Sequence, residues 1–395
     1  MQPTITSRER AADGAAGAPS RRGAPPSASP RLPSLTGLRF IAAALVFLFH
    51  GGLEFLFRDA GAQESYMFGT ASAGFVGVSF FFALSGFVLA WSARPGDSAP
   101  RFWRRRFAKI LPNHVVTFVL ALALLAWTGA STGVLPALAN LLLVHSWVPD
   151  IAYVGSANDV SWSLSVEAAF YLVFPLLFAL AGRIRPDRLW YWAGGTAAVI
   201  VLMPVAAQLF LPDQPQFMWG NASFVQIWFL YDFPVVRALE FTLGILLARI
   251  VLTGRWIGLG VLPASLLVAA AYVASLYVPF LYRFAAITAV PLALLVAATA
   301  ASDVKGRRSV LSTRPMIWLG EISFAFYLLH RLVLHYGHLA FGRTPDGHGG
   351  LAGPAWSTPG AVAFLAGAFA VSVLLAWALW ALVERPVMRR WSVRR

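Results

Sequence analysis

Apolar residues recur in runs of about twenty along nearly the whole 395-residue chain, separated by short polar segments. A helix needs that length to cross a hydrocarbon core about 30 Å thick, because every backbone polar group must be satisfied within the segment. The polar/apolar alternation of barrel strands is absent. The pattern predicts ten spans: Leu38 to Phe57, Ala71 to Trp91, Leu111 to Trp127, Trp162 to Ala181, Leu189 to Leu211, Phe229 to Ile250, Trp256 to Tyr277, Tyr282 to Ala301, Met316 to Phe341 and Ala361 to Val383. An eleventh run, Leu135 to Val148, is short and carries Pro136, Asn140 and His145, the length and content of a re-entrant or interfacial piece.

The expected fold is therefore all-α and polytopic, with about ten transmembrane helices, one short re-entrant or interfacial helix and both termini cytoplasmic. Residues 1–33, rich in Ala, Gly, Pro, Ser and Arg, read as a disordered tail. They lack the apolar stretch of a signal peptide. Residues 34–386 read as one membrane domain and 387–395 as a basic tail.

Composition agrees, since a chain 58% hydrophobic and only 12% charged is too apolar for a soluble domain. The net charge of +14 would suit nucleic acid, but its distribution points to topology instead. With ten spans, the outer loops hold only Arg58, Arg283 and Arg343, while Arg39, Arg237 and Arg331 fall within spans. All other Lys and Arg residues then face the cytoplasm, as the positive-inside rule requires. A full crossing by Leu135 to Val148 would invert that bias. Cysteine is absent, which excludes disulfides, thiolate metal sites and a cysteinyl acyl-enzyme.

Four polar constellations inside the apolar runs could carry chemistry. Arg39 and His50 are eleven residues apart in one predicted helix, about three turns and roughly 16 Å, so they share a stripe. Ionisable groups at such depth are costly and functional by default, and a buried His is suited to accept a hydroxyl proton. The same pair also fits a snorkelling arginine and a packing histidine. Glu167, in Trp162-Ser163-Leu164-Ser165-Val166-Glu167, could orient a histidine, bind a hydroxyl, or pair structurally with Arg237. Arg105, Arg106 and Lys109 belong to a basic cluster before Pro112 that could grip the phosphates of a nucleotide-bearing donor such as coenzyme A. Basic clusters at inner helix ends also serve topology or anionic lipid. Ser323, Tyr327 and His330, spaced four and three apart, share one helix face and could line a polar cavity or bond between helices. Arg237 and Glu240 are expected to pair with each other.

In order along the chain, the Leu35-to-His50 segment, Phe81-Phe82-Ala83-Leu84-Ser85-Gly86-Phe87, Arg105-to-Pro112, Trp162-to-Glu167, Arg237-to-Gly244, Ile322-to-His330 and Glu384-Arg385-Pro386 resemble acyltransferase family 3, the bacterial integral-membrane acyltransferases. The resemblance implies transfer of an acyl group, commonly acetyl, from acyl-CoA to a hydroxyl of a surface polysaccharide, glycolipid, peptidoglycan or macrolide antibiotic. It implies His50 as catalytic base, Arg39 and the basic cluster on the donor, and an essential Glu167. Lys109 stands where an arginine is usual, keeping charge but losing the bidentate fork, and Phe324 replaces a common tyrosine. Nothing here matches the extra C-terminal esterase-like domain of some members.

The expectation is thus an O-acyltransferase of the bacterial inner membrane, without metal or permanently bound cofactor and with no nucleic-acid partner. Acyl-CoA is its co-substrate, Glu167 assists His50, and Trp162, Ser163, Arg237, Ser323, Tyr327 and His330 bind the acceptor or line the cavity. The same buried charges also fit a proton-coupled transporter of a polar metabolite, with His50, Glu167 and Arg237 as its relay. No inverted pair of broken helices is visible, however.

Overall fold

The computed structural model describes residues 31–93, 96–217, 221–345 and 350–392, so residues 1–30 of the tail expected over 1–33 lie outside the described residues, and its last residue, Pro33, opens the first helix. The chain forms α1 (Pro33–Gly52), α2 (Ala60–Thr70), α3 (Ala73–Trp91), α4 (Ala99–Thr128), α5 (Val134–Leu141), α6 (Ile151–Val154), α7 (Trp162–Arg183) and α8 (Leu189–Phe210). It continues with α9 (Phe224–Tyr231), α10 (Pro234–Leu252), α11 (Val261–Tyr277), α12 (Ala289–Val304), α13 (Arg314–Leu339), α14 (Thr358–Leu379) and α15 (Arg385–Ser392). The described strands are a two-residue antiparallel pair, Thr344–Pro345 with Leu351–Ala352.

Each of the ten apolar runs holds a helix, and seven helical stretches are long and apolar enough to cross a membrane. Three others fall short for physical reasons. α10 carries Arg237, Glu240 and Arg249, while α11 and α12, at 17 and 16 residues, are below the usual spanning length. The run Phe229 to Ile250 is also broken: Phe233, preceding Pro234, is extended, so α9 ends and α10 starts afresh with Pro at its first turn. The basic residues after Val387 continue in α15 as far as Ser392.

The eleventh run is an eight-residue helix, α5, about 12 Å long, followed by Leu143 in the left-handed region. Such irregular backbone is tolerated at membrane depth only where protein satisfies it. His114 Nε2 lies 3.0 Å from the Asn140 carbonyl, Ser165 Oγ donates to the Leu143 carbonyl at 2.7 Å, and Trp228 Nε1 donates to that of Ser146 at 2.9 Å. Asn140 Nδ2 in turn donates to the Ser156 carbonyl at 2.6 Å.

The centre is built on α3 against α10. Their backbones approach so closely that a Cβ at Gly86 would fall on the Phe241 carbonyl and one at Gly244 on the Ala83 carbonyl. Small residues permit this contact, which lipid alone does not drive. Phe170 of α7 stacks on Phe241 at 4.6 Å and meets Phe82 edge-on at 5.1 Å. A second apolar cluster joins α1, α13 and α14 through Phe40, Phe47, Phe326 and Phe369. α1 therefore lies against both α3 and α13, which sets Arg39 and His50 between the two clusters.

Candidate active site

A cavity opens among α1, α3, α4, α7 and α13, with about 880 Å³ of empty space counting its mouth. Its charged lining comes from Arg39, Arg106, Lys109 and Glu167, with Tyr171 beside them, and Ser163, Ser323 and Tyr327 add hydroxyls. Phe81, Phe82, Leu164 and Phe324 supply apolar wall.

Local structure explains this gathering. Arg106 and Lys109 are three residues apart on the first part of α4, hence on one face. Trp103, from the same turns, donates its Nε1 to the Tyr171 carbonyl at 2.9 Å and so fastens α4 to α7. Tyr171 is one turn after Glu167, and its hydroxyl donates to the carboxylate at 2.5 Å. The Arg106 guanidinium lies 5.5 Å from the Phe102 ring centre, and its Nε is buried without a hydrogen-bond partner. Among the described residues, Arg39, Arg106 and Lys109 have no carboxylate within ion-pair distance. Three cations therefore face the cavity against one carboxylate, which a tyrosine already holds. Such an excess suits an anionic group, and phosphate suits guanidinium best.

His50 does not line this cavity. It is half-buried, and its Nδ1 lies 2.9 Å from Nε2 of His330, which is fully buried. Tyr327 lines the cavity and also lies beside His330, the two ring centres 5.7 Å apart. Ser163 Oγ donates to the Tyr327 hydroxyl at 2.8 Å. Glu167, expected beside His50, stands instead with the cations.

Four other expected residues lie apart from the cavity. Trp162 packs on Tyr231 at 4.5 Å. Arg105 pairs with Asp97. Arg237 forms the expected pair with Glu240 at 3.1 Å, lies over the Phe82 ring at 4.9 Å and borders a smaller cavity of about 290 Å³. His330 contacts His50 rather than the cavity. Bonding between and along helices accounts for the placements of Arg237 and His330.

Beyond His50 the structure reveals a cluster that sequence reading passed over. Arg331 pairs with Glu54 and, at 3.0 Å, with Asp159. His335 and His338 each place Nδ1 3.3 Å from the Glu54 carboxylate. Burial would raise the Glu54 carboxyl, but Arg331 and the two histidines outweigh it and hold the group well below the usual carboxylate range. The spacing 331, 335, 338 on one helix face was the available signal.

A family model described as an acyltransferase domain matches residues 32–381. The chain belongs to acyltransferase family 3. This acyltransferase is 44% identical over 373 residues to Acyltransferase MdmB of Streptomyces mycarofaciens, covering 92% of this chain and 94% of the relative. It is 24% identical over 332 residues to Peptidoglycan O-acetyltransferase OatA of Listeria monocytogenes, covering 76% of this chain and 49% of the relative. O-acetyltransferase OatA of Staphylococcus aureus is 26% identical over 181 residues, 41% of this chain and 27% of the relative. The acyltransferase thus spans nearly all of the first relative but half or less of the OatA proteins. Its apolar helices and its family make it a membrane protein. An acyltransferase requires both an acyl donor and an acceptor.

Proposed function

We propose that this acyltransferase is an O-acyltransferase of the bacterial inner membrane that moves an acyl group, acetyl in the simplest case, from acyl-CoA to a hydroxyl of a carbohydrate, glycolipid or macrolide-type acceptor. The observation that carries this reading is the three-cation end of the cavity together with Tyr327, which joins that cavity to the His50–His330 pair. Arg39, Arg106 and Lys109 hold the donor's phosphates on the cytoplasmic side, and Glu167 belongs to this donor end. The pantetheine arm follows the apolar wall toward Tyr327.

The acceptor hydroxyl approaches the half-open face of His50. His50 removes its proton, the oxygen attacks the thioester carbon, and the departing CoA sulfur takes the proton back. Direct transfer in a ternary complex needs no acyl-enzyme, and no serine is flanked as a nucleophile would be. The names of the OatA relatives support acetyl as the group moved. The transporter alternative explains the buried charges but not the family.

The test uses the full chain in nanodiscs with radiolabelled acetyl-CoA and a panel of acceptors. Free CoA appears only when the right acceptor is supplied, and His50→Ala lowers transfer by about 10³-fold or more while the protein still inserts and binds acetyl-CoA. Undiminished transfer by that variant would refute the role of His50, and failure to bind any acyl-CoA would refute the donor assignment.

A further inference from the structure

We infer that His330 is a positioning residue that fixes the tautomer of His50, leaving His50 Nε2 as the nitrogen that takes the acceptor proton. This rests on the reading of His50 as base. The tautomer of His330 is fixed by groups that can only accept. His330 Nδ1 lies 2.7 Å from the Tyr327 carbonyl and 3.3 Å from that of Phe326, the backbone oxygens three and four residues earlier on α13. A carbonyl has no proton to give, so Nδ1 of His330 carries the hydrogen. In the neutral ring Nε2 then holds the lone pair.

Nε2 of His330 faces Nδ1 of His50 at 2.9 Å. With no hydrogen of its own at Nε2, His330 accepts, so His50 donates from Nδ1 and its own lone pair sits at Nε2. The direction of the relay is thus set by backbone, which does not titrate.

Packing holds the geometry. The His330 ring stacks on Phe326 at 5.8 Å with 9° between planes, and Phe47 lies 6.4 Å away. The imidazole cannot easily turn to present its other nitrogen. When His50 takes the acceptor's proton at Nε2, its Nδ1–H remains bonded to His330, which stabilises the cation formed. This role parallels that of the orienting carboxylate of a catalytic triad, whose loss leaves a histidine in the wrong tautomer and costs about 10⁴ in rate.

Two substitutions of similar polarity separate orientation from packing. In His330→Gln the amide oxygen reaches the place of Nε2 and can accept from His50. In His330→Asn the shorter amide ends near Nδ1 and cannot. The expected result, in nanodiscs with acetyl-CoA and acceptor, is that Gln keeps kcat within about tenfold of the parent while Asn loses about 10²-fold or more, with KM for acetyl-CoA unchanged in both. Equal loss in the two variants, or no loss in Asn, overturns the proposal. His50→Ala measured alongside distinguishes the failures. An active His50→Ala removes the base and the relay together, whereas an inactive one beside an unimpaired His330→Asn removes the relay alone.

Discussion

The arginines within this membrane bundle are treated in two opposite ways. Arg237 and Arg331 are compensated: Arg237 has Glu240 and the Phe82 ring, and Arg331 has Glu54 and Asp159. Arg39, Arg106 and Lys109 face a cavity that Glu167 also lines, and among the described residues none of the three has a carboxylate within ion-pair distance. Bringing a charge into an apolar interior costs several kcal/mol unless a partner repays it. A compensated arginine is accounted for by the fold itself, whereas an uncompensated cluster needs a ligand. Local spacing separated only Arg237, whose partner Glu240 is three residues on; Arg331 has its partners on other elements and looks, as a letter in an apolar run, like Arg39.

The comparison breaks most sharply at Arg331. Its removal leaves the Glu54 carboxylate, whose side chain is 4% exposed, with only His335 and His338, and losing the charged partner of a buried pair costs up to about 3–5 kcal/mol. Arg331→Ala should therefore lower the midpoint of thermal unfolding in nanodiscs substantially. An unchanged midpoint would mean that the cluster is not a structural clasp. pH probes the same clasp. Because the folded Glu54 carboxyl lies below its unfolded value near 4.5, its contribution is present above that value and fades as pH falls through the folded one. Unfolding midpoints measured from pH 6 downward should fall on the acid side, and Glu54→Gln should remove that part of the slope.

Arg106 should behave in the reverse manner. No carboxylate is left stranded when it goes, since Glu167 keeps its bond from Tyr171, so Arg106→Ala should leave the unfolding midpoint nearly unmoved. KM for acyl-CoA should rise about 10- to 100-fold, the loss of one or two charge-assisted bonds to phosphate, with kcat retained. A variant that unfolds while its KM stays put would place Arg106 with Arg331 among the structural cations.

How much of this was legible in the sequence depends on the range of the interaction. Helices were legible because apolar runs specify helices, although the extended Phe233 before Pro234 divides one run into α9 and α10, and the short helix near Leu135 was legible from the length of its run. Arg106, Lys109, Ser163, Glu167 and Tyr327 were found by local spacing, and the cavity does gather them. Glu54 was not found: it fell inside the predicted Leu38-to-Phe57 run, whose helix ends at Gly52, and only the packing of α1 on α13 brings Arg331, His335 and His338 to it. The placement of Glu167 with the cations was also hidden, since it depends on how α7 is fastened to α4 by Trp103. The separation of His50 from the cavity has the same origin, in the neighbour that α13 offers to its ring.

Arg105 gives the smallest expected effect and the finest test of the comparison. Sequence grouped it with Arg106 and Lys109 as a donor contact, but it pairs with Asp97 outside the cavity, its side chain 29% exposed and that of its partner 19%. A pair that open to solvent is worth about 0–1 kcal/mol. Arg105→Ala should therefore shift the unfolding midpoint slightly and leave KM for acyl-CoA within about twofold of the parent, well short of a lost charge-assisted bond. A KM increase as large as that of Arg106→Ala would show that Arg105 leaves Asp97 to meet the donor, and the line between compensated and ligand-seeking cations would then have to be drawn from the complex with the donor bound.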